Sequence, residues 1–199
     1  METTETITFK DGAKLEIIQD DDHDSPREWD NNGTMVCFHN RYNLGDKHDY
    51  NESDVPGRDW DKLYTAIRED HDVAVICPLF LYDHSGLAIS LEPFACRWDS
   101  GPVGFIFATR ENLKRGGHPD DVDLEKVKTW LRGEVETYNQ YLNGDVYGFV
   151  LKTPTKCDAC GHTEWAEVDS CWGFYGSNPA ENGMIDHLSE AHRQELQEM

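Results

Sequence analysis

Between Asp120 and Gly144, the apolar residues Leu124, Val127, Leu131, Val135, Tyr138 and Leu142 recur at steps of three and four. That period gathers them on one stripe of a helix. Asp120 or Asp123 can accept the first unpaired N–H groups, and Asn143-Gly144 supplies an end that tolerates positive φ. A helix with such a stripe needs an apolar surface to cover. The rest of the chain offers mostly short runs of strand length, so the sequence is constrained to an α+β fold.

Two alternating runs within residues 6–19 flank Asp11-Gly12 and predict a hairpin. Residues 73–82, rich in Val and Ile, predict a buried strand with 87–91 as its neighbour. Residues 104–109 and 146–151 predict two more strands. A second helix is expected over 59–69, with Trp60, Leu63, Tyr64 and Ile67 on one face. Residues 20–59 carry Pro, Gly, Asn and Asp without periodicity, and Thr34-Met35-Val36-Cys37-Phe38 is the piece able to anchor them to a core. The expectation is a mainly antiparallel sheet with two helices packed on one face, spanning residues 1–152. Thr153-Pro154-Thr155 marks the boundary to a C-terminal element over 153–199, from which 165–176 can return to the core.

That last element carries the sharpest chemical signal. Cys157-Asp158-Ala159-Cys160-Gly161 is a knuckle, two thiolates spaced to reach one tetrahedral ion. His187 and His192 lie in an apolar-periodic stretch with Met184, Ile185, Leu188 and Ala191, which predicts a helix. Cys157, Cys160, His187 and His192 are therefore the predicted ligands of one structural Zn2+, in a zinc-stabilised hairpin–helix. The spacing departs from a two-Cys, two-His finger: 26 residues separate Cys160 from His187, against about a dozen. His162 and Cys171 are alternative ligands. The stretch around the histidines is too acidic for a phosphate-binding recognition helix.

Asp and Glu number 39 against 18 Lys and Arg, a formal charge of −21. Such a surface opposes direct binding to a nucleic-acid backbone. It fits solubility, occupation of a basic nucleic-acid-binding surface on another protein, or cation binding by carboxylates. Neither a signal-peptide pattern nor a membrane-length apolar run is present, so a soluble, intracellular protein is expected. The six cysteines then read as thiols and ligands, with Cys37, Cys77 and Cys96 as buried hydrophobes.

Polar groups sit beside aromatics in several turn-like strings. Asp30, His39, Arg41, Asp83, His84 and Asp99 could converge on one cleft. A carboxylate–histidine set of that kind could hold a hard metal or perform general acid–base chemistry. The same strings also suit turns whose Asp side chains bind backbone N–H groups.

The strings Asp24-Ser25-Pro26-Arg27-Glu28-Trp29-Asp30-Asn31, Gly33-Thr34-Met35-Val36-Cys37-Phe38-His39, Arg41-Tyr42-Asn43-Leu44-Gly45-Asp46, Trp98-Asp99-Ser100-Gly101-Pro102-Val103-Gly104 and Asp169-Ser170-Cys171-Trp172-Gly173-Phe174-Tyr175-Gly176 resemble an uncharacterised family of accessory proteins encoded by tailed bacteriophages. The resemblance covers most of residues 15–176. It implies a phage accessory product in the cytoplasm of the infected host cell, and it brings no activity with it. The cysteine knuckle and the histidine-bearing stretch look like additions to the shared body. The leading expectation is a non-enzymatic protein that binds a host or defence protein through an acidic face, with imitation of nucleic acid as one version of that reading. The alternatives are a hydrolase or other enzyme with an Asp/His, metal-assisted site, and a virion or assembly component.

Overall fold

A computed structural model describes residues 3–51, 53 and 55–198. The chain divides into two units, residues 25–143 and residues 1–24 with 144–199. The expected boundary at residue 153 is instead the interior of a strand. Among the described residues, no helix is long and apolar enough to cross a membrane.

The first unit, residues 25–143, is built on β3 (Thr34–Cys37), β4 (Val73–Asp83), β5 (Leu87–Ser90) and β6 (Ser100–Thr109), antiparallel in the order β3-β6-β4-β5. Its helices are α1 (Trp60–Asp70), α2 (Arg110–Arg115) and α3 (Leu124–Leu142). Asp59, Thr109 and Asp123 cap them by accepting N–H groups of the first turn. The residues of β6 are buried in an unbroken run from Val103 to Thr109, the pattern of a strand covered on both faces. Ile106 and Ala108 pack with Met35 and the α3 residues Val127, Leu131, Val135 and Tyr138. Phe105 and Phe107 pack with Val36 and the α1 residues Leu63 and Ile67. The helices thus cover opposite faces, a correction to the one-face expectation that follows from the period of two along β3 and β6.

Residues 25–46 are anchored by a largely buried ion cluster. The Arg27 side chain is only 4% exposed and binds Asp46 through two nitrogens at 2.9 and 2.7 Å. Its remaining nitrogen donates to Glu134 on α3 at 3.1 Å, and Nη2 also donates to the Gly33 carbonyl at 2.7 Å. Glu134 in turn accepts the N–H groups of Asn32 and Gly33, and Asp46 accepts that of Met35. Burial pushes the Glu134 carboxyl upward, against Arg27 and those two N–H groups, which pull it down. Burial also opposes the Arg27 charge, and Asp46 and Glu134 overcome it to raise its pKa. Gly45 lies at φ +74, where a Cβ would come within 2.7 Å of the Met35 carbonyl. Its N–H is held by the Tyr138 hydroxyl at 2.9 Å. The aperiodic loop is ordered by these polar anchors.

The second unit contains β1 (Thr3–Thr8), β2 (Lys14–Gln19), β7 (Val146–Lys156) and β8 (Thr163–Tyr175), antiparallel in that order. Leu15, Ile17, Phe149, Leu151 and Phe174 form its core with Met184, Ile185, Leu188 and Leu196 from the C-terminal segment. Pairing with β2 ends at Lys152, so Pro154 removes no hydrogen bond on that side. That is why the strand runs through the proline. The predicted C-terminal helix is interrupted: a 3₁₀ turn at Met184–His187 ends at an extended Leu188, and α4 (Glu190–Gln197) starts afresh. Ser189 causes the restart by accepting the His192 N–H at 3.3 Å.

Candidate functional site

The acid–histidine residues come together in part. His39 follows β3, Asp83 closes β4, His84 starts the turn into β5, and Asp99 precedes β6. A cleft of about 280 Å³ is lined by His39, Asp83, Asp99, Trp98 and Arg58 among others. His39 Nε2 lies 3.5 Å from Asp83 Oδ2, the oxygen that also accepts from Arg41 Nη2. His84 Nδ1 lies 3.5 Å from Asp99 Oδ2. The Asp83 N–H donates to the Asp99 carbonyl at 2.8 Å, locking the two strand ends together. Asp30 is exposed and does not line this cleft.

Burial lowers the His39 pKa; Arg41 and Arg58 act in the same direction, and Asp83 opposes them. The ring is therefore neutral near pH 7, stacked on Tyr42 at 5.2 Å. At 3.5 Å, neither histidine–aspartate contact is a well-formed hydrogen bond. The Ser100 hydroxyl is engaged by the Cys96 carbonyl. Trp98 stands 96% exposed at the rim. Cys96 is exposed, not a core hydrophobe, with its sulfur 3.6 Å from Asp99. Arg58 lines the cleft with Asp83 and Asp99, and the exposed Arg41 pairs with Asp83.

A larger groove of about 720 Å³ was not anticipated from sequence. His48, Tyr50, His71 and Phe107 supply aromatic surface, and Asp70 and Glu111 are among its acids. The His48 ring nitrogens face the carbonyls of Tyr50 and Cys37 at 3.1 and 3.3 Å. The available signals were the strings Lys47-His48-Asp49-Tyr50 and Asp70-His71-Asp72. Neither has a spacing that specifies chemistry.

The predicted zinc ligands are divided. Cys157 and Cys160 occupy the turn joining β7 to β8. The Cys157 N–H donates to the His162 carbonyl and the Gly161 N–H to the Cys157 carbonyl, both at 2.8 Å. The N–H groups of Cys160 and Ala159, with the Cys160 thiol, hold the Cys157 thiol below its ordinary pKa. His187 meets Phe174 edge-on at 5.3 Å. His192 stacks on Phe9 at 4.1 Å, and its Nε2 pairs with Asp11 at 2.8 Å. Cys171 packs against the core of its unit. Among the described residues, no three His, Cys, Asp or Glu side chains form a group able to hold a metal.

Around those cysteines, β7 and β8 form a ribbon. Four residue pairs, from Thr153↔Ala166 to Lys156↔Thr163, extend past the last β2 partner. At about 3.3 Å per residue they reach about 13 Å beyond it. β8 is the edge of the sheet and is exposed from Glu164 to Ser170. It presents Glu164, Glu167 and Asp169 beside Trp165, Val168 and Trp172, the last three being 40%, 53% and 39% exposed. Lys14 Nζ lies 3.9 Å from the Trp165 ring centroid. Trp172 covers Gly148, where a Cβ would come within 2.1 Å of its ring.

The chain matches no protein-family model, no curated protein and no solved structure.

Proposed function

We propose that this is a phage accessory protein that binds a basic, nucleic-acid-binding surface of a host or defence protein. The observation that carries this reading is the β8 edge, a 13-residue strand on which acidic and large apolar side chains are exposed together. An edge strand offers backbone N–H and C=O groups to an added strand. Its acids attract a cationic partner, and a net charge of −21 steers the encounter. The resemblance to phage accessory proteins supports the cellular setting. A zinc ion at Cys157 and Cys160 would stiffen the tip of this ribbon.

The test is capture of partners from host lysate by the tagged chain and by its Glu164→Lys/Glu167→Lys variant. The reading predicts a stoichiometric basic partner that is retained at low salt, released at high salt and not retained by the variant. Equal retention by both chains, or retention indifferent to salt, counts against it.

A second reading, an enzyme with an acid–histidine site, is favoured by one observation: His39, Asp83 and Asp99 share a cleft. Turnover of a generic ester or phosphoester substrate that disappears in His39→Ala and Asp83→Asn would establish it. Turnover unchanged in both variants would remove it.

A further inference from the structure

The turn between β7 and β8 carries Cys157 and Cys160 two residues apart. Gly161 at φ +70 and the two 2.8 Å backbone bonds close the turn. A thiolate pair fixed in this way matches the spacing of a zinc knuckle and supplies two of the four ligands that structural zinc takes.

Among the described residues, no side chain furnishes the remaining two ligands. His192 is committed to Asp11 and Phe9, and His187 lies against Phe174. The extended Leu188 and the Ser189 cap separate their two elements, so they do not share a helix face. No third metal-ligating side chain joins the cysteines among the described residues.

The position of the pair indicates where the other ligands come from. It sits at the end of a two-stranded ribbon that projects beyond β2, with residues 158–162 exposed. Lys156, Asp158 and Glu164, the charged residues adjoining the turn, leave a net charge of −1, a small share of the chain's −21. Two such tips can therefore meet with little repulsion between their own charges. We infer that Cys157 and Cys160 of two copies of this chain bind one zinc ion between them, an isologous four-thiolate site joining the ribbons tip to tip. Each thiol loses its proton to solvent on binding, and no redox step is involved.

The inference is independent of the acidic-partner reading, because partner capture can fail while the zinc-linked dimer persists. It is tested by measuring zinc content and solution mass together on the full chain, purified under reducing conditions and supplied with zinc alone. The expected result is half an equivalent of zinc per chain and a twofold mass, with return to monomer in chelator and recovery on adding zinc back. Cys157→Ser and Cys160→Ser should be zinc-free monomers with unchanged circular dichroism. His187→Ala and His162→Ala should retain both zinc and the dimer. One zinc per monomer, loss of zinc in His187→Ala or His162→Ala, or a folded chain that takes up no zinc would each overturn the inference.

Discussion

The Arg27 cluster and the β7–β8 ribbon use the same residue types for opposite ends. In the first, a buried guanidinium is paired with two partly buried carboxylates, and every bond is directed at a named group of the 25–46 loop or α3. In the second, three carboxylates stand in solvent beside two tryptophans and a valine. Charge buried and fully paired fixes a loop. Charge exposed beside apolar surface is available to a partner. The strings of residues 24–46 therefore need not mark chemistry; at Arg27, Gly33, Gly45 and Asp46 they mark the anchoring of an aperiodic segment.

The strongest way to break this contrast is Arg27→Met, which strands Asp46 and Glu134 in a buried site. A loss of about 3–5 kcal/mol is expected, because removing one member of a buried pair leaves the others uncompensated. Urea unfolding measures it, and a loss below about 1 kcal/mol would show the cluster to be dispensable. Next in size is Leu131→Ala, expected to cost about 2–5 kcal/mol for a fully buried leucine. Val168→Ala on the ribbon should fall within about 0.5 kcal/mol of the parent. Matching midpoints for these two variants would erase the distinction between body and ribbon.

Charge reversal on the ribbon sharpens the contrast further. Glu164→Lys/Glu167→Lys should leave the unfolding midpoint nearly unchanged while removing salt-sensitive partner binding. Loss of both together would make the acids structural.

The smallest effect concerns Asp11. The Ala13 N–H, then the His192 ring, hold its carboxyl below the ordinary range, and slight burial opposes them. A carboxyl with a lowered folded pKa stabilises the fold above its unfolded value of 3.8. That contribution is lost as pH falls through the lower folded value. Its exposure limits the effect to below about 1 kcal/mol. Asp11→Asn should be slightly less stable than the parent near pH 6, and the gap should close toward pH ~2. A gap that widens in acid would reverse the assigned sign.

Much of the fold was legible because its signals are local. The stripe from Leu124 to Leu142, the Asp123 cap and the Asp11-Gly12 turn each act within a few residues. The closure of β2 onto β7, with Lys14 opposite Lys152, was not legible because it depends on pairing between distant segments. Pro154 read as a boundary because its tolerance depends on β2 ending at Lys152. His187 and His192 read as one helix face because the apolar period crosses Leu188, whereas Ser189 offers a cap that competes with helix continuation. At the acid–histidine cleft, residue types were informative and spacing was not: His39, Asp83 and Asp99 meet, while Asp30 does not line the cleft. The Arg27 cluster went unread for a related reason, since nothing near Arg27 in sequence announces Glu134.

The most direct test of the central claim is hydrogen–deuterium exchange on the protein with and without its captured partner. The account predicts slowed exchange at the β8 amides from Glu164 to Trp172, with the amides of His39, Asp83 and Asp99 unchanged. Protection confined to the His39–Asp83 cleft, with β8 exchanging as it does in the free protein, would contradict it.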